Sequence, residues 1–343
     1  MDRTLRWGLI GCGDVTEVKS GPALQRAEGS QLVAVASRHP ERAADWARRH
    51  GVPRWHASVD ELLAAPDIDA VYIATHPDSH CGLTLRAAAA GKAVLVEKPM
   101  ALDPAECLRM VEACRAASVP LWVAYYRRAL PRFLAIRQAL AGEALGALRA
   151  VVVRQFRPLP STERQASQAH RWRVDAARSG GGLFFEAACH GLDALDWLLG
   201  PLEQVQGLAA NQAGAWAPED IVAGTWRHAG SDEGGEGDPY RGTGRGVVGS
   251  VLWCHAAGIE EESTEIVGSR GRLRWSVNRC SPIELTVDGR TQLLPIPDPP
   301  HVHQPLVQAI VHEWNGLGRC PSTGESALRT ARVMAQLLAG LPA

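Results

Sequence analysis

LRWGLIGCGDVTEV (residues 5–18) is an apolar run that ends in Gly11-Cys12-Gly13 and passes at once into a helical pattern. The run is continuous, as for a strand buried on both faces. Glycines at 11 and 13 suit a tight turn where backbone must approach a pyrophosphate closely. A helix opened by Asp14 and Val15 would add free N–H groups and the positive end of its dipole. Gly11, Gly13, Asp14 and Val15 are therefore candidate cofactor contacts. Thr16 stands at the third position of the G-x-G-x-x-G pattern, so the match is incomplete. A G-x-G alone is weak evidence, but one between strand and helix of a βαβ unit is much stronger. Pro22 follows closely, so the first helix is expected to break near Gly21.

The same alternation continues outward. QLVAVAS (31–37), AVYIAT (70–75), AVLVEK (93–98) and LWVAY (121–125) are further apolar runs. Helical patterns separate them at 40–51, 59–65, 79–91 and 103–120. This order implies a parallel sheet with right-handed crossovers. Gly51 and Gly91 stand where a glycine follows a helix, and Asp103-Pro104 reads as an N-cap with proline behind it.

After about residue 125 the rhythm changes. A long helical stretch (184–199) precedes strand-like runs at 204–210, 221–226, 246–255, 263–268 and 272–277. Strands in succession imply an antiparallel sheet. The expected fold is α/β, with a Rossmann doubly wound parallel sheet at 1–124. An α+β domain with a largely antiparallel, open-faced sheet and C-terminal helices follows at 125–343. The glycine-rich stretch 230–246 is expected to be a mobile hairpin loop. Ser322 and Glu325 make a capping-box spacing before the last helix.

Bulk properties exclude several classes of function. A length of 343 residues favours two domains. The net charge of −1 gives no electrostatic case for nucleic acid or an anionic membrane. The N-terminus lacks a secretory apolar segment, and no run is long enough to span a bilayer. The eight cysteines form no CxxC and no close Cys/His pair, so a reduced, cytoplasmic setting without a metal site is expected. His301 and His303 lie two apart, but no third ligand is evident.

The end of the second strand discriminates between cofactors. An acid there would bind a ribose 2′-hydroxyl, whereas this chain reads Ser37-Arg38. A hydroxyl and a guanidinium suit a 2′-phosphate, which favours NADP over NAD. Val96-Glu97-Lys98-Pro99 closes the fifth strand, at the ligand end of such a sheet. A lysine placed there can donate a proton to, or polarise, a reacting oxygen.

GLIGCGDV, ATHPDSH (74–80), VEKPMA (96–101) and SGGGLFFEAACHGLD (179–193), in this order, resemble the GFO/IDH/MocA oxidoreductases. This is the family of glucose–fructose oxidoreductase and inositol dehydrogenase. The resemblance implies NAD or NADP in the first domain. It also implies hydride transfer at an oxygen-bearing carbon of a sugar, polyol or related molecule. It makes Lys98 and His190 the groups flanking the substrate, with Glu186 where the family usually has aspartate. Thr75, His76, Pro77, His80 and Glu97 become cofactor neighbours, and Trp172, Arg173 and Tyr125 substrate neighbours. A homodimer or homotetramer through the C-terminal sheet is expected on the same ground. A non-catalytic dinucleotide-binding regulator and an NAD-assisted glycoside hydrolase are the alternatives.

Within the helix at 184–199, Ala188, Leu192, Leu195 and Leu199 form one stripe; Glu186, His190, Asp193 and Trp197 form another. Periodicity alone leaves the second stripe either solvated or facing a site, and the resemblance favours the site. Acids on either side of His190 would favour its protonated form. The preceding glycines are expected to let the chain pass close to substrate or cofactor.

Overall fold

The computed structural model describes residues 3–142, 144–231 and 240–340. Residues 232–239 of the expected loop lie outside that set. The first sheet contains β1 (Leu5–Ile10), β2 (Ser30–Ala36), β3 (Arg54–His56), β4 (Ala70–Ile73), β5 (Ala93–Val96) and β6 (Leu121–Val123). Every pairing is parallel, and the order is β3-β2-β1-β4-β5-β6. The strand order reverses at β1, which puts a ligand site beyond the carboxyl ends of β1 and β4. Strand β3 is short and polar, with no apolar run to announce it.

The connecting helices are α1 (Asp14–Val18), α2 (Ser20–Arg26), α3 (Pro40–His50), α4 (Val59–Ala64), α5 (Pro77–Ala89) and α6 (Pro104–Ala116). Gly51 and Gly91 follow α3 and α5 with φ of 66° and 69°. Asp103 Oδ1 accepts the Glu106 N–H at 2.7 Å, the expected cap of α6. The first helical stretch breaks at Lys19 rather than Gly21. Pro22 has no N–H for the Val18 carbonyl, and Ser20 Oγ instead donates to Val15 O at 3.1 Å.

The remaining helices are α7 (Pro131–Ala141), α8 (Thr162–Ala166), α9 (Gln168–Arg171), α10 (Ala176–Ser179), α11 (Leu183–Leu199), α12 (Gln304–Trp314) and α13 (Gly324–Leu338). The second sheet joins β7 (Leu148–Phe156), β8 (Leu202–Ala210), β9 (Ile221–His228) and β10 (Val248–Cys254) to β11 (Glu261–Gly268), β12 (Gly271–Trp275), β13 (Ile283–Val287) and β14 (Arg290–Leu294). Its order is β14-β13-β12-β11-β7-β10-β9-β8. All pairs are antiparallel except β7 with β10, so the sheet is mostly antiparallel. The central strand β7, marked only by a Val151–Val153 run, and the hairpin β13–β14 were not anticipated from the sequence.

The chain divides into two compact units, Met1–Leu130 with Pro299–Leu328, and Pro131–Asp298 with Arg329–Ala343. The sequence reading put the whole C-terminal stretch with the second domain. Burial explains the return: Leu306, Val307, Ile310 and Val311 of α12 share one core with Leu5, Trp7 and Leu9 of β1. Fully burying each such aliphatic side chain is worth roughly 1.5–3 kcal/mol. The expected cap of α13 also shifts by one residue. Thr323 and Ser326 make the reciprocal pair, at 3.1 and 3.3 Å, while Ser322 Oγ donates to Val123 O at 2.7 Å.

Candidate active site

The β1–α1 turn is shaped by sterics. Gly11 has φ +103°, and a Cβ on it would lie 2.6 Å from Ala74 O, so no other residue fits unstrained. Gly13 precedes α1, has no side-chain cap, and has nothing within 4 Å of where its Cβ would be. Asp14 is exposed and Val15 half-buried beside it. Thr16 takes the place of the third glycine. It is fully buried, and its Oγ1 donates to Gly13 O at 2.7 Å. An open backbone cradle at a strand–helix junction fits the pyrophosphate of a dinucleotide.

Past β2, Ser37 Oγ accepts the His39 N–H at 3.3 Å. Arg38 is exposed, and its side chain has no ion-pair partner among the described residues. A groove of about 390 Å³ is lined by Cys12, Glu41, Arg42, Asp45, Trp46 and Arg49. Arg49 is tied to Glu17 at 2.6 Å and Asp45 at 2.7 Å. Arg42, like Arg38, has no such partner among the described residues.

The strand ends after β4 and β5 are braced from below. His80 is fully buried; its Nδ1 is 3.0 Å from Pro99 O and its Nε2 3.2 Å from Thr75 O. Backbone carbonyls at Thr75 and Pro99 thus flank the imidazole, whose neutral form can donate to only one of them. Burial also pushes its pKa down. Thr75 Oγ1 accepts from Ser79 Oγ at 2.7 Å, His76 precedes α5, and the buried Pro77 opens it. The Lys98–Pro99 bond is cis.

Glu97 is hydrogen-bonded through both carboxylate oxygens. It is 7% exposed; its Oε1 accepts the Tyr72 hydroxyl at 2.5 Å and its Oε2 the Lys98 N–H at 3.0 Å. His303 Nδ1 lies 3.9 Å from Glu97 Oε1, and its ring stacks on Tyr126 at 4.5 Å. Burial drives the His303 pKa down to about 4 against the pull of Glu97, so this is a neutral imidazole and not an ion pair. Lys98 itself is half-buried at the end of β5. Tyr125, expected at the substrate, is 1% exposed and belongs to the core.

In the second unit the last glycine of the run packs against Glu219. Gly182 donates its N–H to Glu219 Oε1 at 3.0 Å and Oε2 at 3.2 Å, just before α11. A Cβ there would meet Glu219 atoms at 2.9 Å. The missing Cβ of Gly182 therefore admits a buried carboxylate that caps α11. Burial raises the Glu219 pKa, while the N–H groups it accepts oppose the shift. No local motif around 219 announced this contact.

The leucine stripe of α11 is buried as expected. The opposite stripe is not solvated either: His190, Asp193 and Trp197 are 6%, 1% and 1% exposed. Asp193 Oδ1 accepts from Thr330 Oγ1 at 3.4 Å, and Trp197 lies under the Arg137 guanidinium at 4.7 Å. Glu186, on the first turn, is 3.8 Å from Arg173 Nε, and that guanidinium lies 4.6 Å from the Trp172 ring centre. Glu186 and Arg173 line a pocket of about 550 Å³, whereas His190 does not. Among the described residues no His/Cys/Asp/Glu group could hold a metal, and no helix is long and apolar enough to cross a membrane.

An open glycine cradle at the switch point of a six-stranded parallel sheet defines a dinucleotide-binding protein. Residues 5–125 match the GFO/IDH/MocA oxidoreductase family with its NAD-binding Rossmann fold, and residues 133–274 match the GFO/IDH/MocA C-terminal domain. The chain belongs to this family and is an NAD(P)-dependent oxidoreductase. It is 32% identical to Oxidoreductase P35 of Formosa agariphila over 97% of this chain and 98% of that one. It is 30% identical to 1,5-anhydro-D-fructose reductase of Ensifer adhaerens over 94% and 92%. Its fold matches the WlbA dehydrogenase of Bordetella pertussis, solved with NADH and UDP-GlcNAcA. That match has a TM-score of 0.79 and 25% identity, over 99% of this chain and 96% of that one.

Proposed function

We propose that the enzyme interconverts a hydroxyl and a carbonyl on a sugar, polyol or related small molecule, with NADP as the preferred cofactor. The observation that carries this reading is the setting of Lys98. It stands at the carboxyl end of β5, its N–H held by Glu97, in a sheet whose β1 end presents the open Gly11–Gly13 cradle. The bound nicotinamide supplies the hydride acceptor or donor. The Gly11–Gly13 turn and the N–H groups opening α1 hold the pyrophosphate. Ser37, Arg38 and Arg42 take the 2′-phosphate. Lys98 and His190 move the proton of the reacting hydroxyl, and Glu186 orients a neighbouring hydroxyl. The sugar class is supported by relatives such as the 1,5-anhydro-D-fructose reductase.

The test follows NADPH absorbance over a panel of polyols and sugars. Lys98→Ala and His190→Ala should each lower kcat by about 100-fold or more, the usual weight of a positioned acid or base. Near-normal kcat in both variants would sink the assignment. For the cofactor, Arg38→Ala should weaken NADP binding while sparing NAD; equal losses for both would refute the preference.

A second copy of the chain is the partner proposed for the second sheet. Val248 and Leu252, exposed at 50% and 38%, share the face of β10 turned away from buried Val251 and Trp253. Sedimentation of a Val248→Lys/Leu252→Lys variant should give a smaller species than wild type. An unchanged assembly removes that face from consideration.

A further inference from the structure

The pocket beside Glu186 contains more positive charge than a neutral polyol needs. It is lined by the guanidiniums of Arg157, Arg164 and Arg173, and by the imidazoles of His170 and His255. Two carboxylates, Glu186 and Glu260, also line it, but Glu260 is bound to Arg279. These groups come from separate segments: the residue after β7, α8, the turn after α9, α9 itself, and the residue after β10. Arg173 faces Glu186 at 3.8 Å, whereas Arg157 and Arg164 are incompletely neutralised. Arg157 approaches Glu262 only to 3.6 Å, and Arg164 has no ion-pair partner among the described residues.

The two histidines give an independent sign of a missing ligand. His170 and His255 are 6% and 5% exposed. The Nε2 of each is buried and has no hydrogen-bond partner among the described residues. A buried polar atom in that state is costly unless something bound at the site satisfies it. In both rings the surroundings disfavour the protonated form. Burial lowers the His255 pKa to about 4, Arg157 adding to the effect and Glu186 and Asp220 opposing it. Burial, then Arg164 and Arg173, lower that of His170. A neutral ring can turn an N–H toward an acceptor, and guanidiniums grip carboxylate or phosphate with paired bonds.

We propose that this pocket binds an anionic group, carboxylate or phosphate, on the substrate itself. The enzyme then acts on sugar acids or sugar phosphates in preference to neutral sugars. The inference rests on the sugar-oxidoreductase reading above and narrows it. The volume of about 550 Å³ suits a monosaccharide with its charged group. Glu186, on the pocket wall 3.8 Å from Arg173, stands where a hydroxyl of the same molecule would also reach it.

The experiment is calorimetric titration of the full-length protein, saturated with NADP, with D-glucose, D-glucuronate and D-glucose 6-phosphate. At least one of the two anions should bind about tenfold or more tightly than D-glucose, as expected for charge-assisted contacts. Arg157→Gln/Arg164→Gln should remove most of that advantage without weakening binding of D-glucose. The arm that wins identifies carboxylate or phosphate. Equal binding of the three sugars by wild type overturns the proposal, with no variant needed. So does the absence of binding by both anions, or an advantage that survives in a folded double variant. NADPH formation is read separately. Charge-selective binding without turnover of any panel member leaves the anion pocket standing and overturns the sugar-class substrate reading. Turnover of neutral polyols without charge selectivity does the reverse.

Discussion

In the first unit, the candidate contacts come from strand ends and are held by backbone. Gly11 is packed against Ala74 O, and Lys98 is anchored through its own N–H to Glu97. The buried residues His80, Tyr72 and His303 only brace these ends. In the second unit, the pocket is walled by side chains from loops, short helices and the first turns of α11, spread over residues 157–260. Its fixed point, Glu219, touches no candidate ligand group and acts by capping α11. A backbone-built site should fail abruptly when its shape changes. A side-chain-built site should lose function in steps.

The most severe test of that contrast is Gly11→Ala. The left-handed φ alone costs about 1–3 kcal/mol for a residue with a Cβ. The 2.6 Å approach to Ala74 O forces the turn itself to move. Calorimetry should find cofactor binding lost while the second unit still binds substrate-like anions. Normal NADP binding by Gly11→Ala would break the comparison at its first term.

The next effect is on stability against pH. Burial lowers the pKa of His303 in the first unit, and of His228 and His255 in the second, to about 4. Between the ordinary value near 6.5 and about 4, the unfolded chain binds protons that the folded chain refuses. Stability is therefore full above about pH 6.5 and falls with acidification, by up to about 1.4 kcal/mol per pH unit for each such histidine. Urea unfolding at stepped pH should show this slope. His303→Gln should shallow it by one proton's worth, and an anion bound in the pocket should shallow the His255 contribution. A flat profile from pH 7 to 5 would mean that these rings are not held neutral.

Glu219→Ala tests the second unit's fixed point. Removing the carboxylate that accepts the Gly182 N–H should cost about 1–3 kcal/mol, the penalty for stranding a buried donor. Because α11 carries both Glu186 and His190, kcat should fall while the NADP dissociation constant stays put. Loss of cofactor binding in a folded Glu219→Ala would contradict the separation of the two regions.

The contrast also explains what was legible in the sequence. The six parallel strands are legible because continuous apolar runs and helix punctuation are local, except for the polar β3. The turn at 11–13 and the position of Lys98 are legible for the same reason. The burial of His80, Glu97 and Tyr125 was not legible because periodicity places a residue near a strand end without saying whether it faces up or inward. Glu219 and the pocket arginines were invisible or partial because their neighbours are distant in sequence. Gly182 and Glu219 are 37 residues apart, and no spacing rule spans that interval. Arg173 was noticed through its place before the glycine run and through the family resemblance.

The smallest effect concerns Arg42, where the two regions overlap in kind. It is a side-chain contact proposed within a backbone-built site. It lines the groove with Cys12 from the glycine turn and lacks a carboxylate partner among the described residues. If Arg38 and Arg42 share a 2′-phosphate, each supplies part of one charge-assisted contact. Arg42→Ala should then raise the NADP dissociation constant by roughly three- to tenfold, below the full worth of a bond to a charged group. The NAD constant should not move, and added salt should shrink the difference, since exposed charges are screened. An equal rise for both cofactors would make Arg42 a packing residue of the groove. No rise for either would leave Arg38 alone at the phosphate.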